Sequence, residues 1–369
     1  MNRSPALPFT DLHPGEDALD IKAAIDRVIE SGWFVLGPEV EAFEAEFAAA
    51  CGAEFAVGVG TGTDAIALAL RALDIGPGDE VIVPALTAAF TGLAVVAIGA
   101  RPRIVDVEPD TLTLDPAACA AAVTSRTKAI VPVHLYGQPA DMTGVRRVAD
   151  RHGLAIVEDC CQAHLAQEHG VPVGTRSHAG AFSFYPTKNL GALGDGGAVI
   201  TGDSALAARV KRLRNGGQRD RYHHVEAGWN SRLDELQAAV LRARLPRLPA
   251  WTARRRELAA LYRRQLPTWI SPIRERDPGH VYHLFPVRAR TRDALMAHLA
   301  ERGTATLVHY PVPLSAQPAF AAYDPSHCPV AAGAADELLS LPLHPQLGDT
   351  DVARVTREVS LFREGPTSA

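Results

Sequence analysis

The sequence lacks any run of 18 or more apolar residues, so no helix is expected to cross a membrane. Its alanine-rich stretch 85–100 is interrupted by Thr87, Thr91, Gly92 and Gly99 and reads as a buried helix of a soluble protein. Residues 1–10 hold no apolar core, so no signal peptide is expected. Cysteines number five, Cys51, Cys119, Cys160, Cys161 and Cys328. That is an odd number with no C-x-x-C pair, which argues against a disulfide framework or a zinc clasp and for a reduced, cytoplasmic protein. Positive charge is not in excess. Lys and Arg total 37 against 42 Asp and Glu, for a net charge of −5 and a pI near 6.3, so neither nucleic acid nor an anionic membrane is an expected partner. Lysine is scarce beside arginine and alanine is abundant, a pattern of coding bias that carries no chemistry. No P-loop and no complete G-x-G-x-x-G occurs.

What is present is a chain of 369 residues with 47% hydrophobic and 21% charged content, ordinary for a globular protein and long enough for two domains. Two amphipathic helices are expected in "EDALDIKAAIDRVIES" and "EVEAFEAEFAAACG". From Ala53 strands and helices then alternate: "FAVGVG", "DEVIVPA", "RPRIVDVEP", "TKAIVPVHLYG", "LAIVEDC", "AGAFSFYP" and "GGAVITGD" read as strands. The segments between most of them read as helices, among them "DPAACAAAVTSR", capped by Asp115 with Pro116 in its first turn. This rhythm predicts an α/β fold, a mostly parallel central sheet with helices on both faces. A domain change is expected near Pro249, giving a large domain over 1–249 and a smaller α+β domain over 250–369. The smaller domain takes strands from "HVYHLFPVRA" and "ATLVHYP". The basic run "ARRRELAALYRR" reads as an exposed helix face with Leu258 and Leu261 turned inward.

Three segments could carry chemistry. In "VGVGTGTDAIALAL" small residues leave a strand and open a helix, so the amides of Gly62, Thr63 and Asp64 could cradle a phosphate. An ordinary capped helix is the plainer reading of that segment alone. In "LAIVEDCCQAH" an apolar strand ends in Glu158-Asp159, where parallel sheets place ligands; a capping role for Asp159 is the alternative. The spacing of Asp159, His164 and His169 does not compel a metal site, and no metal is expected. In "FSFYPTKNLGALGDGGA" Lys188 follows aromatic residues and precedes Gly191, Gly194, Gly196 and Gly197. A lysine in an apolar site has a lowered pKa and becomes a nucleophile or Schiff-base former. His134, within an expected strand, reads as a hydrogen-bonded core histidine, and His223 and His224 as loop residues. A phosphate cradle, an acid at a strand end and an amine some thirty residues on are together what pyridoxal 5′-phosphate (PLP) requires.

These segments, with "AIVPVHLYGQPADM", "RNGGQ", "GWNSRLDELQAAVL" and "VHYPVP", resemble the fold-type-I PLP enzymes of the DegT/StrS type, the nucleotide-sugar aminotransferases, over nearly the whole chain. The resemblance implies roles residue by residue. Lys188 matches the Schiff-base lysine, Asp159 the acid at the ring nitrogen and Gln162 the partner of the ring hydroxyl. Thr63 and Asp64 match phosphate-binding amides, Ser183 a phosphate-binding hydroxyl, and Asn230 an asparagine that reaches the phosphate of a neighbouring subunit. Arg232, His309, Tyr310, Tyr185, Trp33 and Phe34 fall in the substrate cleft. The implied enzyme is a homodimer with shared active sites. It moves the amino group of L-glutamate, through the pyridoxamine form of the cofactor, onto a nucleotide-linked keto-sugar, most closely a dTDP-3-keto-6-deoxyhexose. A C4-keto-sugar or aminocyclitol aminotransferase is the alternative. A sugar dehydratase of the same fold carries histidine where Lys188 stands, and a DNA-binding regulator would need a segment that the two domains leave no room for. Three departures from the family pattern stand out: Ala88 takes the place of an aromatic that stacks on the ring, Cys160-Cys161 replace alanines, and Ser315 replaces a histidine common in the family, which bears on the substrate and not on the cofactor.

Overall fold

The computed structural model describes residues 6–323 and 325–362. Helices α1 (Ala18–Ser31) and α2 (Pro38–Cys51) lead into β1 (Phe55–Val59), α3 (Gly62–Ala72), β2 (Glu80–Pro84), α4 (Ala89–Ala97) and β3 (Arg101–Val105). There follow α5 (Pro116–Ala122), β4 (Thr127–Ile130), α6 (Met142–His152), β5 (Ala155–Asp159) and a small hairpin of β6 (Gln167–Glu168) and β7 (Val171–Pro172). Next come β8 (Ala179–Ser183), β9 (Gly197–Thr201), α7 (Ser204–Leu213) and a second hairpin of β10 (Gln218–Asp220) and β11 (His223–His224). The chain closes with α8 (Glu235–Arg244), α9 (Leu248–Gln265), β12 (Ser271–Pro272), β13 (Phe285–Arg288), α10 (Arg292–Glu301), α11 (Pro329–Glu337), β14 (Leu338–Leu341) and α12 (Asp349–Leu361).

Seven strands form one sheet in the order β1-β9-β8-β5-β4-β2-β3. Pairing is parallel from β8 through β5, β4 and β2 to β3, and β9 alone runs against its neighbours β1 and β8. No helix separates β8 from β9, and a connection without a crossover helix returns the chain antiparallel. Side chains alternate across the sheet as a two-residue period requires. Val57, Val59 and Val199 join one core with α3, α4 and α7. Ala56, Ala198 and Ile200 point the other way, into a core with Phe43 and Phe47 of α2. Ile82, Ile130 and Ile156 bury against α5 and α6 on that same second face. The helices end where their caps dictate: Asp115 accepts the Ala117 amide at the start of α5, and Gly153 closes α6 in the left-handed region.

A second sheet, antiparallel β12-β13-β14, has its own core from Leu258, Tyr262, Leu295, Val287 and Val355. Residues 249 and 250 lie in the first turn of α9, and we propose the domain boundary there. Several local expectations change. The segment 305–311 makes a single bridge, Leu307 to Ser340, not a strand. The strand expected over 280–289 is confined to Phe285–Arg288, and that over 127–137 ends at Ile130, so His134 lies outside it. The helix expected over 85–100 covers Ala89–Ala97, with Phe90 and Leu93 exposed. Arg255 is not on an exposed face: it is buried, and its Nη1 donates to the carbonyls of Tyr282, His283 and Leu343. All five cysteines are free thiols, and among the described residues no helix is long and apolar enough to cross a membrane.

Candidate active site

The parallel strands β1, β2, β4, β5 and β8 end on one edge of the sheet, and the reversed β9 begins there. That edge gathers 60–64, 85–91, 131–134, 159–162 and 183–188, with Gly196 and Gly197 between them. Ligands of open α/β sheets bind outside such an edge.

The cradle lies at the start of α3. Thr61 caps the helix, its Oγ1 accepting the Asp64 amide at 3.0 Å. The Asp64 amide, expected free, is therefore engaged. The amides of Gly62 and Thr63, in the first turn, have no acceptor within the helix and carry its positive end. Asp64 Oδ2 instead accepts from Ser231 Oγ at 2.8 Å, and Ser231 Oγ accepts the Gly60 amide at 2.9 Å. A Cβ on Gly62 would lie 2.6 Å from Ser183 Cβ and 2.7 Å from Cys161 Sγ; one on Gly197 would lie 2.3 Å from the Thr61 carbonyl oxygen. Both positions are open to glycine alone, and both face the helix start where an anion would sit. Ser183, half-buried, stands beside this opening.

Asp159 ends β5 and pairs in register with Ala181 of β8. It is 5% exposed. Its Oδ2 accepts from Thr91 Oγ1 at 2.7 Å, and Thr91 in turn meets Thr87 Oγ1 at 3.0 Å; its Oδ1 accepts the Cys161 amide at 3.1 Å. Its main chain is held on both sides, the amide by the Pro132 carbonyl and the carbonyl by the His134 amide. Behind it, His134 Nδ1 accepts the Ala140 amide, so the ring proton is on Nε2, which donates to Glu158 Oε2 at 2.8 Å. Burial pushes the Glu158 carboxyl up, but His134, Ser177 and the Gly174 amide outweigh it and hold the group below the usual carboxylate range. His134, Glu158 and Cys160 place their ligand atoms within 4.8 Å of one another. With both imidazole nitrogens engaged, His134 has no lone pair for a metal, and it reads with Glu158 as a buried hydrogen-bonded pair. His134 is thus a core histidine.

Lys188 closes a turn from β8, its amide donating to the Tyr185 carbonyl at 2.8 Å. Gly191 lets the loop fold back on Pro186, whose carbonyl oxygen would be 2.4 Å from a Cβ there. The side chain is half-buried. Burial lowers the amine below the ordinary lysine range, against the opposing pull of Cys161 and Asp159. That opposing pull places amine, thiol and carboxylate in one neighbourhood, the arrangement a pyridine ring would have to bridge.

Gln162 is buried beside them. Its Oε1 accepts the Tyr136 amide at 2.7 Å and its Nε2 donates to Tyr310 Oη at 2.8 Å, leaving one Nε2 hydrogen free for a ligand oxygen. Tyr310 therefore joins the site directly. His309 Nδ1 meets Ser340 Oγ at 2.9 Å, and its ring lies 5.6 Å from that of Phe9. Burial lowers His309 to about 4, so it is a neutral imidazole at neutral pH. Trp33, Phe34 and Tyr185 are half or more exposed, and Trp33 Nε1 donates to the Val35 carbonyl. Asn230 is exposed, bridged through its backbone to Asn215, and Arg232 Nη1 donates to Asn215 Oδ1 at 3.1 Å. Tyr185 meets Lys188 through its backbone carbonyl, and among the described residues no hydrogen bond ties Trp33, Phe34, Asn230 or Arg232 to Lys188. Ala88 caps α4 without a side-chain bond, and Phe90 is 62% exposed. Cys160 is buried as expected, whereas Cys161 is half-buried against the cradle.

The residues present fit PLP: cationic helix start, two glycines without room for a Cβ, a tethered carboxylate and a desolvated amine share one edge. Sequence reasoning passed over Thr91 and Ser231. A hydroxyl one helical turn from Thr87 was the signal for the first, and a small polar residue between Asn230 and Arg232 the signal for the second.

The model of the DegT/DnrJ/EryC1/StrS aminotransferase family matches residues 16–360. The chain is 51% identical over 368 residues to dTDP-3-amino-3,4,6-trideoxy-alpha-D-glucose transaminase of Streptomyces venezuelae, covering 98% of this chain and 97% of that one. It is also 51% identical over 348 residues to the erythromycin biosynthesis sensory transduction protein EryC1 of Saccharopolyspora erythraea, with 92% and 95% covered. The crystal structure of S. venezuelae DesV in complex with a ketimine intermediate superposes with a TM-score of 0.94 at 51% identity, covering 96% of this chain and 98% of that chain.

Proposed function

This chain belongs to the DegT/DnrJ/EryC1/StrS aminotransferase family, and we propose that it moves the amino group of L-glutamate, through PLP, onto C3 of a dTDP-linked 3-keto-6-deoxyhexose. The observation that carries the cofactor is the shared strand-end edge of Lys188, Asp159 and the Gly62 cradle. The substrate reading rests on the likeness to a dTDP-3-amino-3,4,6-trideoxy-glucose transaminase over almost the full length of both chains.

When bound, PLP supplies an electron-accepting ring that stabilises negative charge at the carbon losing its proton. The chain's own groups do the rest. The Gly62 and Thr63 amides with Ser183 hold the phosphate. Asp159, its two oxygens fixed by Thr91 and the Cys161 amide, stands for the ring nitrogen and keeps it cationic. Gln162 offers its free Nε2 hydrogen to the ring hydroxyl. Lys188 Nζ would anchor the aldehyde, and its free amine would hold the proton taken from the α-carbon of the donor. Burial lowers the pKa of this amine, against the pull of Cys161 and Asp159, and so favours its free-base form. Asn230 is solvent-exposed, as a residue serving a neighbouring subunit must be in a single chain, and supports a C2 homodimer with shared sites; the five free thiols support a reduced, cytoplasmic setting.

The test is the purified protein with added PLP. The wild type should develop a visible absorption band that sodium borohydride fixes onto the peptide containing residue 188, and then turn over L-glutamate with dTDP-3-keto-6-deoxyhexoses. Lys188→Ala should lose both the fixed label and turnover. Turnover retained in that variant, or activity confined to 4-keto-sugars, would refute the base or the substrate respectively.

A further inference from the structure

Asn189 and His283 are both buried and have no part in the reaction outlined above. Asn189 directly follows Lys188. Its Nδ2 donates to the Val281 carbonyl at 3.0 Å, and its Oδ1 meets His283 Nδ1 at 3.2 Å. An amide oxygen only accepts, so His283 carries its proton on Nδ1 and donates it. The Lys188 loop is thus tied by two bonds to the strap 281–284.

The strap is itself anchored on the other wall of the site. Val281 donates its amide to the Gly137 carbonyl at 3.0 Å and Leu284 its amide to the Tyr136 carbonyl at 3.3 Å. Tyr136 gives its own amide to Gln162 Oε1. Gly137 has φ +93°, and a Cβ on it would lie 2.9 Å from the His283 amide nitrogen and 3.0 Å from the Gln162 carbonyl oxygen. Only glycine lets the turn touch both. One continuous frame therefore runs from Lys188 through Asn189, His283 and the Tyr136–Gly137 turn to Gln162.

We propose that Asn189 and His283 are positioning residues: the Asn189–His283 bond holds the half-buried Lys188 side chain in place, at a set separation from Gln162. This deepens the proposed function, in which Lys188 and Gln162 serve adjacent substituents of the pyridoxal ring, the aldehyde and the hydroxyl. Without the bond the loop is free to let the amine swing toward water. Asp11, His13, Asp17, Arg244, Arg255 and His344 line the cavity on which Lys188 opens, and Asp159 and Cys161 face the amine, with the imidazoles of His164, His283 and His309 around it. Burial keeps those three imidazoles uncharged near neutral pH. Loss of the anchor thus leaves Lys188 to recover the behaviour of a solvated lysine.

The readout is amine reactivity in the cofactor-free full chain. Trace labelling with acetic anhydride from pH 6 to 11, quantified by peptide mass spectrometry, gives the apparent pKa of Lys188, with exposed Lys128 as internal reference. His283→Leu should raise the apparent pKa of Lys188 by about one unit, a tenfold loss of free amine near neutrality. His283→Asn, whose amide N–H takes the place of Nδ1–H, should restore the wild-type profile. Should His283→Leu not fold, Asn189→Ser removes the same bond with a smaller side chain and should give the same rise. A profile that stays at wild type in the folded variants that lack the bond overturns the proposal, as does His283→Asn failing to rescue it. Because no cofactor is present, a failure here is separate from a failure of the wild type to bind PLP.

Discussion

His164 is the most exacting test of how this core is held. It is fully buried, neither ring nitrogen has a partner, and its ring lies 5.5 Å from Phe182 and 5.8 Å from Phe184. Burial, reinforced by the charge of Lys188, pushes its pKa from 6.5 down to about 3. The unfolded chain therefore binds a proton below pH 6.5 that the folded chain refuses until about pH 3. Stability is full above pH 6.5 and is lost as pH falls through that window, by about 1.4 kcal/mol per pH unit and ~5 kcal/mol in all. His280, also pushed down to about 3 by burial, contributes a second proton over the same window. His309, lowered to about 4, and His283 and His344, also lowered by burial, add to the same slope, so His164→Leu should remove one proton of several. The expected result is a stability–pH slope between pH 4 and 6 that is shallower by about 1.4 kcal/mol per unit. At pH 7 the variant should be no less stable, because an unpartnered buried polar atom costs about 1–3 kcal/mol and two are deleted. Urea unfolding of the cofactor-free wild type and variant at half-unit pH intervals measures both quantities. A slope unchanged by the substitution, or a loss of more than about 2 kcal/mol at pH 7, would refute the reasoning and mean that the imidazole has a polar partner.

Two further substitutions address the cofactor site. Gly62→Ala should weaken PLP binding by about five- to a hundredfold and lower the thermal midpoint, because overpacking a closed contact costs about 1–3 kcal/mol. A Cβ there starts 2.6 Å from Ser183 and must displace it or the helix start. Equilibrium dialysis giving a wild-type Kd would show that the cradle is elsewhere. Thr91→Val keeps the shape of the side chain and deletes the 2.7 Å bond to Asp159 Oδ2. A hydrogen bond to a charged group contributes about 1.5–3 kcal/mol, so PLP affinity should fall by about ten- to a hundredfold, while Thr87→Val, one bond further out, should change it less. Equal losses in the two variants would point to α4 packing instead.

The parallel core and its helices were legible because their signals are local. The alternating valines and isoleucines of β2, β4 and β5, the Asp115-Pro116 cap and the Gly153 stop each act over a few residues. The antiparallel β9 was legible in principle, since no helical segment lies between "AGAFSFYP" and "GGAVITGD". The expected strand over 305–311 failed because apolar alternation does not say whether a partner edge is free; only Leu307 finds one, on Ser340. Arg255 failed for a related reason. A basic run on a helix looks solvated unless the loops ending at Tyr282, His283 and Leu343 are known to leave carbonyls facing it. Lys188, Asp159 and Gly62 could be picked out because each has a residue type that its local setting does not need. Thr91 and Ser231 are ordinary in their segments and acquire meaning only from a carboxylate on another strand.

The reversal of β9 explains why so much of the edge consists of backbone. A parallel strand brings its last residue to the ligand edge, as β5 brings Asp159 and β8 brings Ser183. A reversed strand brings its first, and here those are Gly196 and Gly197. Gly197 packs its Cα on the Thr61 carbonyl, where any side chain would collide, so α3 and β9 meet backbone to backbone. The amides of Gly62 and Thr63 are thereby presented with no side chain between them and the ligand edge. Lys188, nine residues before β9 begins, lies on the loop that the reversal makes necessary. The amine and the anion cradle are thus two consequences of one topological step. A connection that returned β9 in parallel would need a crossover of a dozen or more residues, and it would carry Lys188 away from the cradle it has to face.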